Sequence, residues 1–250
     1  MQILKDKVAI VTGASRGIGQ AIAEVFAREG AKVVISSRKQ ETLETVARAI
    51  GPAAKPIACH VGRPDQIENL VGGVEREFGR VDILVNNAGT NIAQGSCLEM
   101  NEGQFDKMVE INLKSAFCLM NRVAPGMCSR GSGSIINIAS ASGLRPQFHS
   151  MLYSMTKAAL IMMTKSYALE LGPKGVRVNA IAPGLIQTAL SEYYWKDEQR
   201  FSELTSRQPI QRIGKPAEIA EVALLLASER GSYMTGQTVV VDGGFLLPGL

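Results

Sequence analysis

Histidine and tryptophan are nearly missing, with two His and one Trp in 250 residues. His60 and His149 are too few for a histidine-based metal centre, and no metal is expected. Cys59, Cys97, Cys118 and Cys128 show neither CxxC nor zinc-ligand spacing, so they read as the reduced thiols of a cytosolic protein. No apolar run reaches the roughly 18 residues that a membrane span requires. Met1 to Lys7 carries charge and runs straight into an apolar strand, which leaves no place for a signal-peptide core. Pro248-Gly249-Leu250 is not a peroxisomal tripeptide. The net charge of +4 is spread without a Lys/Arg run, which argues against a nucleic-acid partner. These absences leave a cytoplasmic, non-membrane protein as the expectation.

What is present is an ordinary globular balance, 46% apolar and 20% charged. Short apolar runs alternate with amphipathic stretches. Strands are expected at Val8–Val11, Lys32–Ser36, Lys55–His60, Val81–Asn86, Gly133–Ala139, Val176–Ile181 and Gln237–Val241. Helices are expected at Ile18–Arg28, Glu41–Ile50, Gln66–Phe78, Glu102–Met127, Leu152–Leu171 and Pro216–Ala227. Continuous apolar strands between helices predict an α/β fold whose parallel sheet is covered on both faces. Right-handed crossovers make it doubly wound, with seven strands. No linker divides residues 1–250, so one domain is expected. The long irregular insertion at 184–214 has the length of a lid or binding element.

The first strand ends in Thr12-Gly13-Ala14-Ser15-Arg16-Gly17-Ile18-Gly19. Glycines here allow a sharp turn and let a pyrophosphate approach the N-terminus of the following helix, where free N–H groups and the helix dipole favour an anion. The position between strand and helix is the one a dinucleotide site requires. About 20 residues on, an NAD enzyme carries an acid for the ribose hydroxyls. Here Ser36-Ser37-Arg38-Lys39 stands instead. Arg38, a serine hydroxyl and Arg16 suit a 2′-phosphate, so NADP(H) is favoured and NAD(H) remains possible. An exposed loop is the alternative for Arg38 and Lys39. Farther along, Tyr153 and Lys157 lie one helical turn apart. A nearby ammonium favours the phenolate, and is expected to lower the tyrosine pKa towards the range useful for acid–base chemistry on an alcohol or carbonyl.

Thr12 to Gly19, Asn86-Asn87-Ala88-Gly89, Asn112, Ser140, Tyr153, Lys157, Pro183-Gly184 and Val241-Asp242-Gly243-Gly244 occur in the order and spacing of the short-chain dehydrogenase/reductases, and the chain resembles that family from end to end. The resemblance implies a Rossmann-type domain with Tyr153 as general acid/base. It implies that Lys157 lowers the tyrosine pKa and holds the nicotinamide ribose, and that Ser140 hydrogen-bonds the substrate oxygen. Asn112 would position a water on a proton relay. Asn87, Ala88 and Gly89 would pack on sheet and cofactor, with Pro183, Gly184, Ile186 and Thr188 meeting the nicotinamide. The family usually places Asp-Val after the third strand, the carboxylate accepting from the adenine amino group. His60-Val61 stands here, and an imidazole donates or accepts according to tautomer.

The resemblance further implies a small-molecule carbonyl or alcohol substrate and a homo-oligomer, dimer or tetramer, built on the long helix and the catalytic helix. Pocket walls are expected from Gly89–Gln94, Ala141–Met151 and the insertion, with Ser142, His149, Tyr193, Tyr194 and Trp195 as substrate candidates. The three aromatics read as a hydrophobic lid over a bulky apolar carbonyl compound, or as packing. The leading expectation is an NADP(H)-dependent carbonyl reductase or alcohol dehydrogenase. A 3-oxoacyl-(acyl-carrier-protein) reductase, with Arg122, Arg130 and Arg177 as candidate docking cations, is the first alternative. A non-catalytic NADP(H)-sensing binding protein is the second.

Overall fold

Residue alternation within the first strand dictates the layering. The computed structural model describes residues 2–92, 94–206 and 208–247. Met1, Ala93 in the expected pocket wall, Arg207 in the insertion and the tripeptide Pro248-Gly249-Leu250 lie outside the described residues. In β1 (Val8–Thr12) every residue is buried. Ala9 and Val11 join an apolar cluster with Ile22, Phe26, Leu43, Ile219 and Leu224. Val8 and Ile10 join a second cluster, with Leu70, Val74, Leu119 and Val123. Successive side chains of a strand leave opposite faces, so a strand apolar at every position needs helices on both sides.

The sheet has seven strands, all parallel, in the order β3-β2-β1-β4-β5-β6-β7. The others are β2 (Lys32–Ser37), β3 (Ala54–Ala58), β4 (Ile83–Asn86), β5 (Gly133–Ile138), β6 (Val176–Pro183) and β7 (Thr238–Val241). Helices α1 (Gly17–Arg28), α2 (Gln40–Ile50) and α9 (Pro216–Ala227) cover the first face. The second carries α3 (Pro64–Phe78), α5 (Ser115–Ser129) and α6 (Met151–Leu171). The remaining helices are α4 (Glu102–Val109), α7 (Glu192–Trp195) and α8 (Glu198–Thr205). None of the described helices is long and apolar enough to cross a membrane.

Three differences from the sequence reading bear on the site. The helix expected to run unbroken over Glu102–Met127 is instead α4 and α5 joined by a π-helical turn, Glu110–Lys114, with Asn112 inside it. Uniform helical periodicity hides such a turn, which is found frequently at functional sites. β3 stops at Ala58, so His60 lies in a turn rather than a strand. The insertion is not irregular: it holds α7 and α8, and a parallel bridge between Ile186 and Gly214 closes its base.

Strand order reverses between β1 and β4, and ligands of such sheets bind at the carboxyl ends beside that switch point. A buried threonine joins the two strand ends there. Thr12 Oγ1 donates to Val85 O (3.2 Å) and accepts from the N–H groups of Asn87 and Ala88, each at 3.1 Å.

Candidate active site

Helix α6 carries Tyr153 and Lys157 to the carboxyl ends of β5 and β6. Ser140, two residues beyond β5, is hydrogen-bonded to Tyr153 and accepts from the Ser142 N–H at 3.1 Å. Lys157 Nζ donates to Ile138 O at 2.7 Å and stands 5.6 Å from the Tyr153 ring centroid. Asn112 reaches the same place from the π-helical turn. Its Oδ1 accepts from Thr90 N (2.8 Å), and its Nδ2 donates to Thr90 O (2.9 Å) and to Thr156 Oγ1 (3.2 Å). Thr156 in turn donates to the carbonyl of Tyr153 at 2.9 Å. A Cβ at Gly89 would lie 3.5 Å from Asn112 Oδ1 and 3.6 Å from Lys157 Nζ, so the two groups face each other across a glycine. The four residues singled out from the sequence are thus brought together.

The electrostatics differ from the expectation in one respect. Tyr153 is not depressed: burial pushes its pKa up to about 12, against the lowering effect of the Ser140 hydrogen bond, and Tyr194 adds to the rise. Burial also lowers Lys157 to about 8. Lys157 is buried and Tyr153 partly so, and desolvation disfavours the charged form of each. Desolvation outweighs the attraction between the pair and favours the neutral, proton-donating phenol.

A cavity surrounds these groups. Ser140, Ser142, Gln147, Tyr153, Lys157 and Tyr194 provide its polar lining, and Pro183, Gly184 and Ile186 the wall beyond β6. Of the three aromatics of the insertion only Tyr194 lines it, its hydroxyl accepting from Gln94 Nε2 at 3.1 Å. Trp195 is turned to the chain: its indole N–H donates to Thr188 O and Ser191 Oγ, each at 3.2 Å. Tyr193 is 57% exposed, packed edge-on to Tyr194. His149 stacks on the exposed Phe148 and does not line the cavity. Asn91, Gln147, Leu204 and Gln208 line it from the expected wall segments, whereas Phe245 was not foreseen. Phe245 is held by Arg145, 4.7 Å from its ring, and no local pattern announces that contact.

A second cleft adjoins the first and shares Ile18, Asn87, Gly89, Thr188 and Leu190 with it. Gly13, Ser15, Arg16, Gly17 and Ile18 form one wall, Ser37 and Arg38 the next, then His60 and Val61, then Ala88 and Gly89. Gly19 lies behind the wall; a Cβ there would meet Gly13 O at 2.6 Å. Gly13 and Gly17 have φ of +64° and +61°, and a Cβ on Gly13 would sit 2.9 Å from Ala88 Cα. The turn therefore needs glycine both for its backbone and for its closeness to β4. This cradle, open to the N-terminus of α1, fits the pyrophosphate of a dinucleotide. Arg16, Arg38 and Lys107 are the charged residues lining the cleft, and no described lining residue is a carboxylate. Lys107 was missed because α4 reaches the cleft only through the tertiary fold. Among the described residues no three His, Cys, Asp or Glu side chains are grouped to hold a metal.

Residues 13–246 match the protein family described as Enoyl-(Acyl carrier protein) reductase. The chain is 41% identical to Dehydrogenase/reductase SDR family member 4 of Oryctolagus cuniculus, over 96% of this chain and 94% of that protein. It is 38% identical to the 3-oxoacyl-(acyl-carrier-protein) reductase of Thermotoga maritima, over 98% and 99% of the two chains. A short-chain type dehydrogenase/reductase from Mycobacterium marinum superposes with a TM-score of 0.92 at 36% identity, over 98% and 97%. The 3-ketoacyl-(acyl-carrier-protein) reductase of Brucella melitensis, solved in complex with NADH, superposes with a TM-score of 0.90 at 34% identity, over 97% and 99%.

Proposed function

The chain belongs to the short-chain dehydrogenase/reductase family, and on that premise we propose that it is an NADP(H)-dependent oxidoreductase interconverting a small ketone or aldehyde with an alcohol. The observation that carries this reading is the continuity of two cavities, a glycine-walled dinucleotide cleft opening directly on Ser140, Tyr153 and Lys157. The glycine turn, Arg38, Asn87, Lys157 and Thr188 would hold the cofactor. Bound there, the nicotinamide supplies or takes the hydride. The chain's own residues manage the proton. Ser140 donates a hydrogen bond to the carbonyl oxygen, and Tyr153, neutral because it is buried, gives that oxygen a proton as charge develops. Lys157, poised near pH 8, holds positive charge beside the phenol as it loses its proton. Arg16 and Arg38, with no carboxylate lining the cleft, favour a 2′-phosphate, hence NADP(H) over NAD(H).

A carrier-protein substrate is the second reading, favoured by the likeness to the Thermotoga reductase. Lys157 is the one cation lining the catalytic cavity among the described residues. Arg122 pairs with Glu68 and Glu75 on α3, Arg130 donates to Val81 O and Arg177 to the carbonyls of Ser228 and Gly231. The small-molecule reading is therefore preferred. The test is a panel of ketones, aldehydes and a 3-oxoacyl thioester with NADPH and NADH, followed at the nicotinamide absorbance. Turnover of free carbonyls with NADPH is expected. Turnover of the carrier-bound thioester alone would favour the second reading, and binding without any turnover would leave a nucleotide-sensing protein. In the same assay Tyr153→Phe should lower turnover by about a thousandfold or more while leaving NADPH affinity nearly unchanged; retained activity would refute the role of Tyr153.

A further inference from the structure

The base-binding end of the cleft carries a chemistry of its own, and the inference from it rests on the cleft being a nicotinamide dinucleotide site. With the pyrophosphate at the Gly13–Gly19 turn and the nicotinamide beside Tyr153, the purine falls at the opposite end, walled by Cys59, His60, Val61 and Ile111. The hydrogen-bonding sense of that wall is set by a tight turn. Gly62 N–H donates to His60 Nδ1 at 3.1 Å, and His60 N–H donates to Gln66 Oε1 at 2.7 Å. A ring nitrogen that accepts carries no proton, so the neutral imidazole bears its hydrogen on Nε2 and can only donate from there. The turn is closely packed: a Cβ at Gly62 would overlap Glu110 Oε1 and lie 3.0 Å from His60 Cε1. Glu110 itself is held by Lys107 at 3.0 Å and does not line the cleft. Cys59 is no substitute acceptor, since burial holds its thiol protonated, with a pKa raised to about 11.

We infer that His60 makes the purine end of this cleft a donor surface, so that the site does not select the 6-amino group of adenine and accepts 6-oxo purine dinucleotides. Adenine presents an amino donor at position 6, where hypoxanthine presents a carbonyl acceptor. A carboxylate at position 60 would reward the amino group and repel the carbonyl. The Nε2–H of His60, in a cleft whose charged lining residues are all cations, does the reverse.

The experiment is a binding titration that needs no turnover. Purified protein is titrated with NADPH and with reduced nicotinamide hypoxanthine dinucleotide phosphate, and the nicotinamide fluorescence is read for each. The hypoxanthine form is expected to bind at least as tightly as the adenine form. In His60→Asp the preference should move towards adenine by about tenfold, the worth of a hydrogen bond to a charged acceptor, with His60→Ala between the two. A wild-type protein that prefers the adenine form tenfold, or a preference unmoved by His60→Asp, overturns the inference and leaves the cofactor assignment standing. Failure of both dinucleotides to bind overturns the cofactor assignment itself, and the inference with it. If His60→Asp does not fold, the wild-type ratio decides alone.

Discussion

Tyr153 and Lys157 show how burial decides between two effects that the sequence presents together. The four-residue spacing puts the ammonium near the phenol, yet burial opposes charge on both, and Tyr153 is raised to about 12 while Lys157 falls to about 8. A lysine whose folded pKa is depressed binds fewer protons folded than unfolded between about pH 8 and its ordinary value of 10.5, so its contribution to stability rises with pH across that window. Tyr153 acts oppositely, but only above its ordinary value of 10. Between pH 8 and 10, unfolding free energy measured in urea should therefore rise for the wild type relative to Lys157→Met, by at most about 3 kcal/mol. A pH-independent difference would refute the assigned shift. At the other end of the cleft, the exposed Arg38 follows β2. Arg38→Asp should weaken NADPH binding about tenfold or more and improve NADH binding, since a carboxylate repels a 2′-phosphate and accepts from ribose hydroxyls; an unchanged ratio of dissociation constants would place recognition elsewhere.

The ends of elements, more than their middles, build the site. β1 and β4 are fastened at their carboxyl ends by the Thr12 hydroxyl, which serves one acceptor and two donors. Thr12→Val keeps the shape and leaves those partners without a bond. A loss of about 3 kcal/mol in urea unfolding and weaker dinucleotide binding are expected, and a stability change below about 0.5 kcal/mol would show the fastening to be incidental. The helices and strands themselves were legible because apolar periodicity is local. The π-helical turn at Glu110–Lys114 was not, since one extra residue in a turn scarcely alters that periodicity over so short a span. The insertion illustrates the same limit. Tyr193-Tyr194-Trp195 is an undivided aromatic run in sequence, but consecutive residues of a helix point about 100° apart, and in α7 only the middle one meets the cavity.

At the scale of the molecule, the face formed by α5 and α6 remains apolar without a cover. Phe117 is 46% exposed, Met162 61% and Leu169 80%, and Tyr167 OH donates to Asn121 Oδ1 at 2.6 Å to hold the two helices in register. Such a patch suits a second copy of the chain, and we propose a homo-oligomer built on these helices. Sedimentation should give a dimer or tetramer, and Phe117→Asp should lower the mass; a monomeric wild type would refute it.

The sequence by itself determined the parallel α/β fold, the glycine turn and the identity of Asn112, Ser140, Tyr153 and Lys157, because each rests on residue type at a short spacing. Only the tertiary structure decided the rest: which aromatic of the insertion faces the cavity, that Lys107 joins Arg16 and Arg38, that His60 Nδ1 accepts from the Gly62 N–H, and that burial raises Tyr153. Those properties depend on solvent exclusion and on contacts between residues distant in the chain, such as Gln94 with Tyr194. Burial and long-range contact exist only once the sheet has brought its strand ends together.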